Sequence, residues 1–244
     1  KPKRKGGHML SNSTFVSSFS LEHTWDINWK IVPSNAKYDR PFETKSIKEQ
    51  KALEAIASVG VIGSAQLRRL FKLDKKRIKI MVGRKMIVRH ELYRNQRLIP
   101  VYTIGKAGAN RVMPTYIENY WLEWTPEEVL KRLLFFQLCY LFENIKIMPA
   151  PSPFIGTIEM KNNPFFVYVT RGKVDDLSMF LKWQPMTERM IIITENLNHL
   201  KPIEMYIPTK NLKVRAITDE LLMNDNPYFY CFKKDEEEYR WVVE

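Results

Sequence analysis

The stretch Ser64–Lys106, SAQLRRLFKLDKKRIKIMVGRKMIVRHELYRNQRLIPVYTIGK, decides how the rest of the chain is read. It holds thirteen Lys and Arg against two acids, Asp74 and Glu91, a net +11 within 43 residues. Met9 to Gly63 sums to zero, and Ala107 to Glu244 carries sixteen cations against nineteen acids. The formal +12 of the 244 residues is therefore local, apart from four charges in the first residues. Charge so concentrated points to a polyanionic partner. The apolar pattern beneath it says what kind of module presents it.

Working outward from the centre, Asp74 is a good cap for a helix over Lys75–Met86. At 100° per residue Ile78, Met81, Val82 and Met86 fall on one arc, which must face a core. The opposite arc carries Lys76, Arg77, Lys79, Ile80, Gly83 and Arg84, with Lys75 in the first turn. An exposed Ile80 amid cations suits an apolar contact such as a thymine methyl in a major groove. Gly83 costs about 1 kcal/mol relative to Ala in a helix interior, and close approach of another backbone, such as a phosphate strand, is a reason to keep it. Cations also serve simply to solvate an exposed helix, but no acid on this face is available to pair with them.

Two helices precede this one. Ser46 to Val59 is capped from Thr44 or Ser46, with Glu49 at capping-box spacing, and Gly60 ends it. Ser64 caps the next, to Phe71, which buries Leu67, Leu70 and Phe71. After the basic helix, Ile87–Arg94 and Leu98–Ile104 read as a hairpin around an Asn95-Gln96-Arg97 turn, with Arg94, Gln96 and Arg97 at its tip and Pro100 near an edge. Helix, helix, helix and hairpin make a winged-helix arrangement, in which the third helix enters the major groove and the hairpin touches backbone or minor groove.

The stretch QLRRLFKLDKKRIKIMVGRKMIVRHELYRNQRLIPVYTIGKAGANRV resembles the winged-helix segment of many bacterial regulators, and is most similar to the replication-relaxation family of plasmids and other mobile elements. The resemblance covers roughly Ile47 to Met113. It implies a DNA-binding N-terminal domain followed by an α/β domain that resembles the restriction-endonuclease core.

The remainder is consistent with an α+β chain. Residues 1–9, with Lys1, Lys3, Arg4, Lys5 and Gly6-Gly7-His8 before Met9, read as an appended remnant. Residues 10–45 form an N-terminal arm, in which Trp25, Ile27, Trp29 and Ile31 alternate as in a short strand, tied to its own chain or crossing to a second subunit. Residues 46–113 are the winged-helix domain and 114–244 the α/β domain. In the latter, Thr125-Pro126-Glu127-Glu128 opens a helix to about Glu143 that is apolar on most sides. Strands follow at Ile145–Met148, Phe154–Lys161 and Phe165–Thr170, the last two joined by Asn162-Asn163-Pro164. A helix at Val174–Trp183 and strands at Arg189–Thr194 and Leu212–Ile217 complete the series, with a C-terminal piece at Tyr228–Val243.

A metal-dependent nuclease of that fold needs two carboxylates for Mg²⁺ and a lysine near the water. Glu159-Met160-Lys161 matches E-x-K, yet Ile147 to Gly156 contains no acid. The core is accordingly read as degenerate, serving assembly or partner contact, with a nuclease using Glu159 and Lys161 as the alternative. Gly105-Lys106-Ala107-Gly108 is a strand-to-helix turn rather than a phosphate loop. Tyr116, Tyr120, Trp121 and Trp124 suit an interdomain seam better than a base-stacking platform.

Cys139 and Cys231, the only cysteines, argue against a disulfide scaffold or a four-cysteine zinc site. No apolar run is long enough to span a bilayer. The expectation is a cytoplasmic protein without cofactor or metal, binding double-stranded DNA as a homodimer. Its role would lie in replication, maintenance or transcriptional control, with another protein as a further partner for the second half.

Overall fold

The computed structural model describes residues 16–33, 46–113, 115–184, 189–235 and 237–244. Residues 1–15, with the expected remnant and the beginning of the arm, and residues 34–45 lie outside the described residues. The elements alternate between helices and strands in an α+β arrangement of two sheets.

In the first sheet, β1 (Trp25–Asn28) adds to the hairpin. Helix α1 (Ile47–Val59) is capped by Ser46, and Gly60 leaves it with φ +106°. The short β2 (Val61–Gly63) runs straight into α2 (Ser64–Phe71). Gly63, not Ser64, therefore holds the cap position, and the Gln66 side chain accepts its N–H at 2.9 Å.

Asp74 caps α3 (Lys75–Gly83) by accepting the Arg77 N–H at 2.6 Å. This helix ends three residues earlier than its apolar arc suggests. Lys85 takes a left-handed φ of +56°, its N–H bonds the Val82 carbonyl at 3.0 Å, and that of Met86 bonds the Met81 carbonyl at 2.9 Å. This paired closure satisfies the last carbonyls and releases Met86 into the core.

Strands β3 (Ile87–Arg94) and β4 (Arg97–Ile104) pair antiparallel from Ile87↔Ile104 to Arg94↔Arg97. The turn is Asn95-Gln96 alone, both left-handed, the geometry whose twist matches a two-residue hairpin. Arg97 is thus the first residue of β4 rather than part of the turn. The sheet order is β1-β3-β4-β2, with Trp25↔Arg94 to Asn28↔Glu91 in register. This stretch of the arm pairs with its own chain. Trp25, Ile27 and Trp29 are half-buried, as the alternation predicted, but Ile31 is exposed, beyond the end of the strand.

Helix α4 (Lys106–Val112) follows, then a 3₁₀ turn at Tyr120–Glu123. Gly108 is required in α4, because a Cβ there would run into the Met86 carbonyl. Helix α5 (Pro126–Leu138) starts with the Thr125/Glu128 capping box and stops at Leu138 before a 3₁₀ turn, short of the Glu143 predicted.

The second sheet has the order β11-β10-β9-β8-β7-β6-β5. Strands β5 (Lys146–Met148), β6 (Gly156–Met160) and β7 (Asn163–Val169) form an antiparallel meander. Its second turn is Lys161-Asn162, both at positive φ. Pro164 sits inside β7 opposite Glu159, not in the turn predicted at Asn162-Asn163-Pro164. Helix α6 (Asp175–Trp183) carries the chain to β8 (Arg189–Thr194), parallel to β7, and β9 (Lys213–Thr218) is parallel to β8. The hairpin of β10 (Tyr230–Asp235) and β11 (Glu238–Val243) closes the sheet antiparallel.

The two sheets share α5. Its Val129, Leu130 and Leu133 pack with Val61, Leu92 and Val101 of the first sheet. One turn on, Leu134, Phe135, Phe136 and Leu138 join a cluster reaching from Leu53 and Ile56 of α1 to Ile158, Val167 and Ile191 of the second sheet. A helix buried on nearly every side reads as apolar all round for this reason.

Candidate nucleic-acid interface

The basic helix is anchored from beneath by Ile78, 4 % exposed, and the fully buried Met81. Lys75, Lys76, Lys79, Gly83 and Arg84 lie exposed on the other side, and Lys85 continues that face just past the helix end. Ile80 is half-buried rather than fully open. A Cβ on Gly83 would meet nothing within 4 Å, so packing within the described residues does not demand the glycine. Gly83 is also the last residue of the helix rather than an interior one, which reduces the conformational penalty assigned to it.

Arg77 departs from the expected face. Its guanidinium turns back onto the carboxylate of Glu49, on α1, which is buried. An acid to pair with one of these cations does exist, supplied by another helix. Glu49 matches the capping-box spacing in sequence but is carried inward by the turn of α1.

At the hairpin tip, Gln96 and Arg97 are exposed and Arg94 is half-buried. Two arginines face each other across the last rung, Arg94↔Arg97, an arrangement that like-charge repulsion disfavours. The arm relieves part of it: the Arg94 guanidinium donates to the Ser18 carbonyl at 2.9 Å. The arm also fixes the turn, since the Thr24 N–H donates to Asn95 Oδ1 at 3.0 Å and the Asn95 N–H to the Thr24 carbonyl at 2.9 Å.

Behind the hairpin, His90 is fully buried between Trp29 and Trp121, with ring centroids at 4.8 and 4.9 Å. The Lys30 N–H donates to His90 Nδ1 at 3.0 Å, so the ring proton sits on Nε2 and is directed at Thr103 Oγ1, 2.8 Å away. Burial first, then the nearby Lys30 charge, lowers its pKa to about 3, leaving a neutral ring that bolts arm to hairpin. The aromatic group around it is a seam: Trp121 is fully buried with its Nε1–H on the Lys30 carbonyl, and Arg132 stacks on Trp124 at 4.1 Å.

Compared with family models, curated proteins and solved structures, the chain matches none.

In the second half, neither Glu159 nor Lys161 lines the cleft beside β5 and β6, which Lys146, Thr157 and Pro164 line. Glu159 is half-buried near the end of β6, cross-strand from Lys146 and Pro164, whereas Lys161 is exposed in the hairpin turn. Asp176 turns back toward β7 but accepts the Tyr168 hydroxyl at 2.6 Å. No group of three or more His, Cys, Asp or Glu placed to hold a metal occurs among the described residues. A buried ionic cluster lies at the C-terminal ends of the three parallel strands, where Arg171 donates to Asp219 through two hydrogen bonds of 2.6 and 2.8 Å. Glu195 stands 3.4 Å from the same guanidinium.

A helix continued to Met86 would turn Lys85 toward the core arc, whereas the helix ends at Gly83 and leaves Lys85 exposed, and the apolar side of α2 gives no sign of Arg68 and Arg69. The charge count of the stretch contained all three. None of the helices among the described residues is long and apolar enough to cross a membrane.

Proposed function

We propose that the chain is a sequence-specific double-stranded DNA-binding protein of a plasmid, phage or other mobile element, acting in replication, maintenance or transcriptional control. Residues 46–113 act as a winged helix, as the resemblance to the replication-relaxation family implies. Helix α3 enters the major groove with Lys76, Lys79, Ile80 and Arg84, and the tip residues Arg94, Gln96 and Arg97 reach the flanking backbone. A homodimer would read repeated or palindromic half-sites.

The observation that carries this reading is the outer face of α3. Lys76 and Lys79 stand exposed with no carboxylate partner among the described residues, on a helix whose opposite side is locked into the core. Lysine and arginine contacts to phosphate release counterions and give salt-dependent affinity, while base-edge contacts near Ile80 supply sequence preference. The second sheet, with a helix between its parallel β7 and β8, supports its comparison with a restriction-endonuclease-like core. Its role in this reading is assembly or contact with another protein.

Footprinting on DNA flanking the chain's own coding region, with anisotropy titrations at several salt concentrations, tests the proposal. Protection that charge reversal at Lys76 and Lys79 removes supports it. Unchanged DNA affinity in that variant overturns it, and magnesium-dependent cleavage abolished by Glu159→Ala would replace it with a nuclease.

A further inference from the structure

An open cleft of about 620 Å³ lies between α2, the hairpin tip and α5. Arg68 and Arg69 enter it from α2 and Arg94 and Arg97 from the hairpin, and no acidic side chain lines it. Arg68, Arg69 and Arg97 have no carboxylate partner among the described residues. Four guanidinium groups around one cleft repel one another, and a phosphate ester is the ligand whose oxygens match their forked donors.

A second feature distinguishes the cleft from a mere anion patch. The Arg69 guanidinium lies over the Tyr140 ring, 4.2 Å from its centroid. Burial pushes the Tyr140 phenol up to about 12, so the ring remains neutral. A guanidinium stacked on an aromatic ring forms a flat platform of the kind on which a nucleobase stacks. The lining is otherwise mainly apolar, including Phe19 and Trp25, with Gln137 among the polar residues. The volume falls within the range of about 300–1,000 Å³ common to small-ligand sites.

We propose that this cleft binds one phosphorylated nucleotide, its phosphate among Arg68, Arg94 and Arg97 and its base against the Arg69–Tyr140 platform. Two sources carry that chemistry, a free nucleoside polyphosphate and the terminal nucleotide of a DNA strand. The proposal goes beyond duplex recognition and does not require it. Arg94 and Arg97 are common to both surfaces, so occupancy of the cleft would compete with the hairpin's grip on a duplex.

The test is a titration of the full chain with a fluorescent ATP analogue, followed by displacement with ATP, pyrophosphate, adenosine or a short 5′-phosphorylated single-stranded oligonucleotide. Saturable binding is expected, weakened about tenfold or more in Arg68→Ala/Arg69→Ala. Lys76→Ala/Lys79→Ala should leave it unchanged while lowering duplex affinity, which separates failure of this proposal from failure of the duplex reading. ATP should displace the probe better than pyrophosphate or adenosine, and Arg69→Lys should lose that preference because it keeps the charge but not the planar platform. An oligonucleotide that outcompetes ATP assigns the source to a DNA strand, and the reverse to a free nucleotide. No saturation up to about 1 mM, pyrophosphate equal to ATP, or wild-type affinity in a folded Arg68→Ala/Arg69→Ala variant each overturns the proposal.

Discussion

Arg77 of α3 is ion-paired to Glu49 of α1, a carboxylate only 1 % exposed. Removing the arginine takes an ion-pair partner from a buried carboxylate, whereas replacing both residues with apolar side chains removes the charge together with the bond. Arg77→Met should therefore destabilise by about 2–3 kcal/mol, less than a fully buried pair because the guanidinium is partly open to water. Glu49→Leu/Arg77→Met should recover much of that loss. Denaturant midpoints of the two variants check this.

On the outer face of the same helix, Lys76→Ala and Lys79→Ala should leave stability within about 0.5 kcal/mol of wild type. Each should lower the slope of log affinity against log salt by about 1. Anisotropy across a salt series measures the slope directly. A loss of affinity with the slope unchanged would remove these lysines from the phosphate contacts.

Gly83→Ala separates folding from binding at one position. No neighbour lies within 4 Å of the new methyl, and alanine stiffens the unfolded chain, so stability should rise by about 0.5 kcal/mol. DNA affinity should fall if a phosphate strand approaches there. A variant that melts higher and binds worse is the expected outcome.

At Gly60 the opposite holds. Its φ of +106° disfavours any side chain, and a Cβ would run into the Trp124 indole. Gly60→Ala should cost about 2 kcal/mol or more through backbone strain and displacement of that ring. Trp fluorescence and thermal melting report both.

His90 makes stability depend on acid. Its pKa is lowered to about 3 in the fold, against an ordinary value of 6.5. Between those values the unfolded chain binds a proton that the folded one refuses, so stability rises with pH in that window and levels off above 6.5. Its contribution is lost as pH falls below 6.5, at up to about 1.4 kcal/mol per pH unit. His90→Phe should flatten that part of the profile and lower stability at neutral pH, because the Lys30 N–H and the Thr103 hydroxyl lose their partner. Melting curves from pH 4 to 8 check both effects.

Much of the local structure was legible in the sequence because its signals are local. Asp74, Ser46 and the Thr125-Pro126-Glu127-Glu128 box announce helix starts, and apolar spacing located the first hairpin and β5 to β9, while β10 and β11 read only as a C-terminal piece. Errors clustered where a residue has two uses. Pro164, a common turn former, occupies a strand position opposite Glu159. Asn95 and Gln96 close a hairpin that a three-residue turn also fits.

Long-range pairings were not legible. The charge count and helical phasing placed Lys76, Lys79 and Arg84 on one face, but nothing local to Arg77 indicates that Glu49, 28 residues earlier, takes its charge. Larger separations hide the pairing of β1 with β3 and the cleft in which Arg69 meets Tyr140.

Helix α5 lends its first turns to one sheet and its last turns to the other, so among the described residues the basic surface is backed by continuous packed core. A partner pressing on α3 meets a stiff template whose side-chain anchors were ordered when the protein folded. The ordering cost of association then falls on the exposed lysine and arginine side chains rather than on the backbone that carries them. The accommodation needed for an imperfect fit then falls on the partner, and a nucleic acid that bends easily would be selected over one that must be forced.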